Sequence, residues 1–338
     1  MTSPDVNRTI EAVWRIESAR LIAGLARIVR DVGVAEDLAQ EALVAALEQW
    51  PESGVPDNPG AWLMATGKHL AIDRLRRAEV GRRKAEELGH DLERAGPAAD
   101  ADLAAAADDP FDDDLLRLIF TACHPVLSTE ARVALSLRLL AGLTTVEIAR
   151  AYLVSEATVA QRIVRAKRTL AEARVPFEVP AQGELPERLA AVLEAIYLIF
   201  NEGYAATAGQ DWMRLELVDE ALRLGRILAE LLPSEPEVHG LVALMELSAS
   251  RMRARTGPVG EPVLLLDQDR SRWDWLLVER GLAALRRAQS DGGTLGPYGL
   301  QAAIAACHAR ARVPEDTDWK RIVALYDALA ELTGSPVV

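Results

Sequence analysis

Arg162, Arg165, Lys167 and Arg168 crowd together in a chain whose formal net charge is −13. Thr158 and Gln161 stand just ahead of them. Guanidinium, ammonium, amide and hydroxyl groups in one cluster are the donors that hold phosphates and read base edges in a DNA major groove. The cluster works only if one helix presents it. Val159, Ile163, Ala166 and Leu170 recur at i, i+4, i+7 and i+11, which gives that helix a buried face and turns the cations outward. Ser155 stands where a side-chain oxygen caps its first turn. Upstream, Thr144 caps a shorter helix, Thr145 to Tyr152, with Ile148 and Ala149 inward, and Leu153 and Val154 make a tight apolar turn. Short helix, turn and longer cationic helix form a helix-turn-helix. An ordinary hairpin with a charged outer face shares the apolar pattern. The five basic residues against one acid over 158–174 favour the DNA-binding form.

A second cluster lies in AWLMATGKHLAIDRLRR, residues 61–77, where Lys68, His69, Arg74, Arg76 and Arg77 follow Trp62, with Trp50 nearby. Aromatic faces interleaved with cations hold unstacked bases of single strands. Trp62 equally fits a core position at a helix start, and His69 fits a polar contact better than a metal ligand. A third pattern, in AEDLAQEALVAALEQW, sets Leu38, Ala42 and Ala45 inward and leaves Asp37, Gln40, Glu41, Val44 and Leu47 as a mixed stripe. Such a stripe suits docking on another protein's helices, or simple solvation.

The elements that carry these patterns are helical. Half of the 338 residues are hydrophobic and only 5% aromatic, with alanine and leucine dominant, so helices outweigh sheets. No apolar run reaches the length of a membrane span, and no basic stretch followed by an apolar block marks a secretory signal. Cys123 and Cys307 cannot build a disulfide framework, which fits the reducing cytoplasm. Neither cysteine nor its histidine neighbour has partners at zinc spacing, so no metal and no cofactor is expected.

Charge comes in blocks. Residues 86–114 hold eleven acids against one Arg, while 60–84 hold seven basic residues against two acids. The acidic run, with Gly89, Gly96 and Pro97, reads as a tether or as a nucleic-acid mimic that competes for the basic patches. The expected layout is all-α: a helical unit at 8–85, an acidic linker at 86–112, a second helical unit at 113–178 and a C-terminal helical-repeat-like domain at 180–338. In the first unit the apolar line Leu21, Leu25, Ile28, Val32 is interrupted at Gly33, a second helix runs from about Ala35 to Trp50, and a loop starts at Pro51. No stretch reads as a strand.

Taken together and in order, the DxxQxxL helix (Asp37, Gln40, Leu43), PGAWLMATGKHLAIDRLRR and the helix-turn-helix resemble regions 2 and 4 of extracytoplasmic-function sigma factors of bacterial RNA polymerase. NEGY at 201–204, LLLDQDRSRWD at 264–274 and GPYGLQAAIAACHA from Gly296 resemble a subgroup with a C-terminal tetratricopeptide-like domain. The resemblance implies a dissociable polymerase subunit without catalysis of its own. It implies that Asp37, Gln40, Glu41, Leu43 and Leu47 contact the clamp helices of the largest subunit. It assigns Trp62, Lys68, His69, Arg74, Arg76 and Arg77 to the melted minus-ten element. Ser155, Thr158, Ala160, Gln161, Arg162, Val164, Arg165, Lys167 and Arg168 would meet the minus-thirty-five element. Leu43 replaces an aromatic common in the family, and Ala160 stands where a base-reading Arg or Lys is frequent. The C-terminal domain would bind a regulatory protein or peptide and tune initiation. Two other readings compete: a helix-turn-helix regulator with a C-terminal sensor, and an enzyme in residues 180–338 using Asp267 and Asp269 on a metal with Glu202 as base. The first leaves the stripe and the aromatic-basic helix unexplained. In the second, the DxD loop fits an ion-pair network with Arg270 and Arg272 better than a metal.

Overall fold

The computed structural model describes residues 3–88, 111–205, 213–258, 261–290 and 294–334. Most of the acidic run expected to be a linker, residues 89–110, lies outside them. The described residues are helical, and the one β contact among them is an isolated bridge between Thr256 and Pro262. Two compact units divide the chain, Met1–Val192 and Leu193–Val338.

The first unit begins with α1 (Ser3–Val29), α2 (Val32–Ser53) and α3 (Pro59–Leu88). Leu21, Ile22, Leu25 and Ala26 of α1 are buried against α2 and α3. Gly67 lets α1 and α3 approach, since a Cβ there would sit 3.0 Å from Leu25 Cδ1. The break between α1 and α2 differs from the expected one. Arg30 takes a left-handed φ of 54°, and the carboxylate of Asp31 caps α2 by accepting from Val34 N at 2.9 Å. Gly33 therefore lies inside α2, and Val32 belongs to α2 rather than to the line of α1. The helix also runs through Pro51 to Ser53, where Gly54 ends it at φ 83°. Proline is tolerated there because it removes only one bond close to the end of the helix. The buried face of α2 is Ala35, Leu38, Ala39, Ala42, Ala46 and Trp50; Ala45, expected inward, is half-buried, because Ala46 takes its place in the contact with α1 and α3. Proline at the first position and the Asn58 side-chain oxygen Oδ1, accepting from Ala61 N at 3.0 Å, start α3.

Four further helices complete the unit: α4 (Phe111–Ala122), α5 (Thr129–Leu139), α6 (Thr145–Tyr152) and α7 (Glu156–Glu172). Thr144 and Glu147 form a reciprocal capping box on α6. Leu153 turns the chain at φ 50°, and Ser155 Oγ accepts from Thr158 N at 3.1 Å to open α7. Val159, Ile163, Ala166 and Leu170 are all buried. The helix-turn-helix therefore has the caps, turn and apolar face expected of it. α8 (Leu185–Tyr204) spans the border between the units. Its first turns belong with α4 and α5: Arg188 donates to Phe120 O at 3.0 Å and Arg132 donates to Ala191 O at 3.4 Å. The expected start of the C-terminal domain at 180 is thus earlier than the border at Val192.

The second unit contains α9 (Leu215–Leu231), α10 (Pro236–Ala249), α11 (Trp275–Ala288), α12 (Pro297–Arg310) and α13 (Trp319–Thr333). Every residue of α10 from Val238 to Ala249 is buried, as befits a helix packed by α9, α11 and α12 at once. Glu237 takes the place of a local cap on α12, accepting from Tyr298 N and Gly299 N at 3.0 Å each.

Candidate nucleic-acid interface

On α7 the side chains opposite the buried face are exposed: Thr158, Ala160, Gln161, Val164, Arg165 and Arg168. Val164 is 63% exposed, which is unexplained by packing and suits apolar contact with a thymine methyl. Arg162 is half-buried. Ser155 is engaged in the cap and lies 2.7 Å from the Thr158 hydroxyl. Arg168 pairs with Glu172 at 2.6 Å, a contact that raises the guanidinium's pKa. Both side chains of that pair are exposed, so the ion pair is weak and the arginine can swing to a phosphate.

Lys167 departs from the expected face. It is half-buried, and its ammonium pairs with Glu36 of α2. Glu36 is 3% exposed and also accepts from Arg138 of α5 at 2.6 Å and from Gln40 at 2.7 Å. Gln40 is accordingly half-buried, whereas Asp37, Glu41, Val44 and Leu47 of the stripe are exposed and Leu43 is half-buried. Neither the burial of Glu36 nor its partners were read from the sequence. A signal existed: Val32, Glu36, Ala39, Leu43, Ala46 and Trp50 recur every three or four residues, so Glu36 is the one acid on an otherwise apolar line.

On α3, Trp62, His69 and Arg76 recur every seven residues and so share a face. His69, Arg74, Arg76 and Arg77 are exposed, Lys68 half-buried. Trp62 is half-buried with its ring edge-on to Trp50 at 5.3 Å. Trp50, 1% exposed, is a core residue rather than part of a base-stacking pair. A cleft of about 600 Å³ opens between α1 and α3 beside Lys68, with Glu17, Arg20 and Asn58 in its wall.

Family comparisons follow the same division. Residues 16–80 match sigma-70 region 2 and residues 117–170 match sigma-70 region 4. The ECF RNA polymerase sigma factor SigK of Mycobacterium bovis is 30% identical over 158 residues, 45% of this chain and 78% of that one. The chain belongs to the extracytoplasmic-function sigma factors. The probable ECF RNA polymerase sigma factor SigI of Mycobacterium tuberculosis is 30% identical over 184 residues, 53% of this sigma factor and 60% of its relative. An uncharacterized protein of Rhizobium meliloti is 46% identical over 319 residues, 94% of this chain and 74% of that one, and so shares the C-terminal half as well. Residues 188–289 match a family of unknown function, DUF6596. No solved structure gives a significant match.

Of the three acids that an enzyme reading requires, Glu202 and Asp269 are engaged in architecture and Asp267 is exposed. Glu202 pairs with Arg214. Asp269 caps a short turn through Ser271, whose hydroxyl and N–H hold the carboxyl below the usual carboxylate range. The expected ion-pair network of the DxD loop is replaced by a different device: Arg270, 8% exposed, donates to the carbonyls of His308 and Ala311, each at 2.6 Å, and stacks over Trp273. Among the described residues no group of three or more His, Cys, Asp or Glu is placed to hold a metal ion, and no helix is long and apolar enough to cross a membrane.

Proposed function

We propose that this sigma factor divides its work among three faces of its first unit. The exposed stripe Asp37, Glu41, Val44 and Leu47, with Gln40 and Leu43 at its edge, docks on the clamp helices of the polymerase largest subunit. The face of α3 that carries Trp62, His69 and Arg76, flanked by Lys68, Arg74 and Arg77, receives the melted minus-ten strand. The outer side of α7 meets the minus-thirty-five duplex, with Thr158, Gln161, Arg162 and Arg165 toward bases and Arg168 toward phosphate. The observation that supports this division is that α2, α3 and α7 each keep a polar or cationic face exposed in one unit while burying a complete apolar face. Run-off transcription with core polymerase tests it: the folded protein should direct initiation from a promoter that core polymerase alone ignores. Failure of the folded protein to bind core polymerase would defeat the proposal.

The second unit is proposed to tune initiation by binding a regulatory protein or peptide. Because the first turns of α8 pack on α4 and α5, the fair truncation falls after Val192 rather than at the start of the helix. Equal run-off yield from full-length and truncated protein across several salt levels would leave the second unit without a tuning role.

A further inference from the structure

Region 2 and region 4 of this sigma factor are strapped together by ion pairs that converge on two buried carboxylates. Asp114, 1% exposed, receives Arg27 of α1 at 3.0 Å. Glu36 receives Arg138 and Lys167, and an exposed pair joins Arg15 of α1 to Glu147 of α6 at 3.3 Å. The two cations on Glu36 differ in kind. Arg138 also donates to Leu143 O at 3.2 Å, so its planar guanidinium is anchored beside the helix-turn-helix. Lys167 carries a compact ammonium on a flexible stem, and it follows the exposed Ala160 and Val164 at helical spacing, at the edge of the DNA-facing side of α7. It is the member of the pair that can leave.

We infer that Glu36 is a positioning residue that holds Lys167 away from promoter DNA in the free sigma factor and surrenders it when polymerase and promoter engage. The inference rests on the assignment of α2 to polymerase and of α7 to duplex DNA. Phosphate and Glu36 compete for one ammonium, so free protein must break the pair before Lys167 can contribute to DNA binding. Gln40 ties this to polymerase, because its amide donates to the same carboxylate. A buried carboxylate is stable only while its lone pairs are satisfied. When polymerase engages α2, promoter engages α7 and the two helices part, water replaces Lys167 on the Glu36 carboxylate. Lys167 is then released to the side of α7 that meets phosphate.

The chain has four lysines, Lys68, Lys84, Lys167 and Lys320, so amine-reactive labelling followed by peptide mass spectrometry reads Lys167 directly. In the free full-length protein Lys167 should react several-fold more slowly than the exposed Lys320. Glu36→Gln keeps the shape of the side chain and removes the charge; it should bring Lys167 up to the rate of Lys320 and tighten binding of a promoter duplex by the free protein about threefold to tenfold, the size expected of a coupled contact. The gain should vanish when Glu36→Gln is combined with Lys167→Met. A merely structural role for Glu36 predicts the opposite sign, weaker DNA binding. Two arms use the wild-type chain: added core polymerase, and rising sodium chloride, which screens the pair, should each accelerate Lys167 relative to Lys320. Wild-type Lys167 reacting as fast as Lys320, or a folded Glu36→Gln protein with unchanged or weakened duplex affinity, would overturn the inference. Loss of all polymerase and promoter binding would instead overturn the functional assignment, and the labelling contrast between wild type and Glu36→Gln, with its salt dependence, would still decide whether the pair holds Lys167.

Discussion

The two units of this sigma factor use charge in opposite ways. In the first, His69, Arg74, Arg76, Arg77, Arg165 and Arg168 point outward, while Arg27, Arg138 and Lys167 turn inward onto buried carboxylates. In the second, charge is spent on architecture. Glu246, 2% exposed, receives Arg226 and Arg280; Glu237 caps α12; Arg255 stacks on Tyr204 with its guanidinium carbon 3.6 Å from the ring centroid; Arg270 ties its loop to the end of α12. A cation that recognises an external polyanion has to be exposed, whereas one that satisfies carbonyls has to be buried. Arg226, Arg255 and Arg270 therefore serve the packing of the second unit, and that unit as a whole carries more acid than base.

The largest expected effect tests the architectural side. Arg270→Ala removes two charge-assisted bonds to carbonyls and the packing on Trp273, and should lower the stability of the second unit by about 3 kcal/mol or more in urea titration. Core-polymerase binding should be spared; if stability stays unchanged, the buried cations of this unit are dispensable and the contrast weakens. The mirror-image experiment is Arg165→Ala, which should weaken duplex binding by about 1–3 kcal/mol while shifting stability by less than about 0.5 kcal/mol. Both quantities come from fluorescence anisotropy and thermal unfolding of the same preparation.

Asp37→Ala combined with Glu41→Ala should reduce affinity for core polymerase by at least about tenfold, or about 1.4 kcal/mol, without unfolding the unit, because both side chains are exposed and Leu38, Gln40 and Ala42 keep their packing. Unchanged pull-down of the folded double variant would return the stripe to solvent. Trp62→Ala loses an edge contact with Trp50 worth about 0.5–1.5 kcal/mol, yet should leave closed-duplex binding intact and impair strand opening, which permanganate footprinting resolves. Normal opening would make Trp62 a packing residue. The smallest change is Arg168→Ala. Its exposed pair with Glu172 contributes little to stability, while the salt slope of duplex binding should fall by about one unit for one lost phosphate contact.

Local patterns in the sequence carried far. The capping residues Thr144 and Ser155, the turn at Leu153 and the buried line Val159, Ile163, Ala166, Leu170 were all legible, because caps and helical periodicity depend on residues within one or two turns of each other. The break before α2 was misplaced at Gly33 because a glycine is a stronger textual signal than Arg30, the residue that actually takes the left-handed conformation. What only the tertiary structure decided is the fate of Glu36, Gln40 and Lys167. Glu36 meets Arg138 across 102 residues of chain, and that meeting turns a surface-looking acid into a buried one, draws Gln40 off the stripe and takes Lys167 off the DNA face. Periodicity states which side of a helix an amino acid occupies. The partner of a buried charge is set by how helices distant in sequence pack, because desolvation makes that charge stable only where the packing supplies its counter-ions.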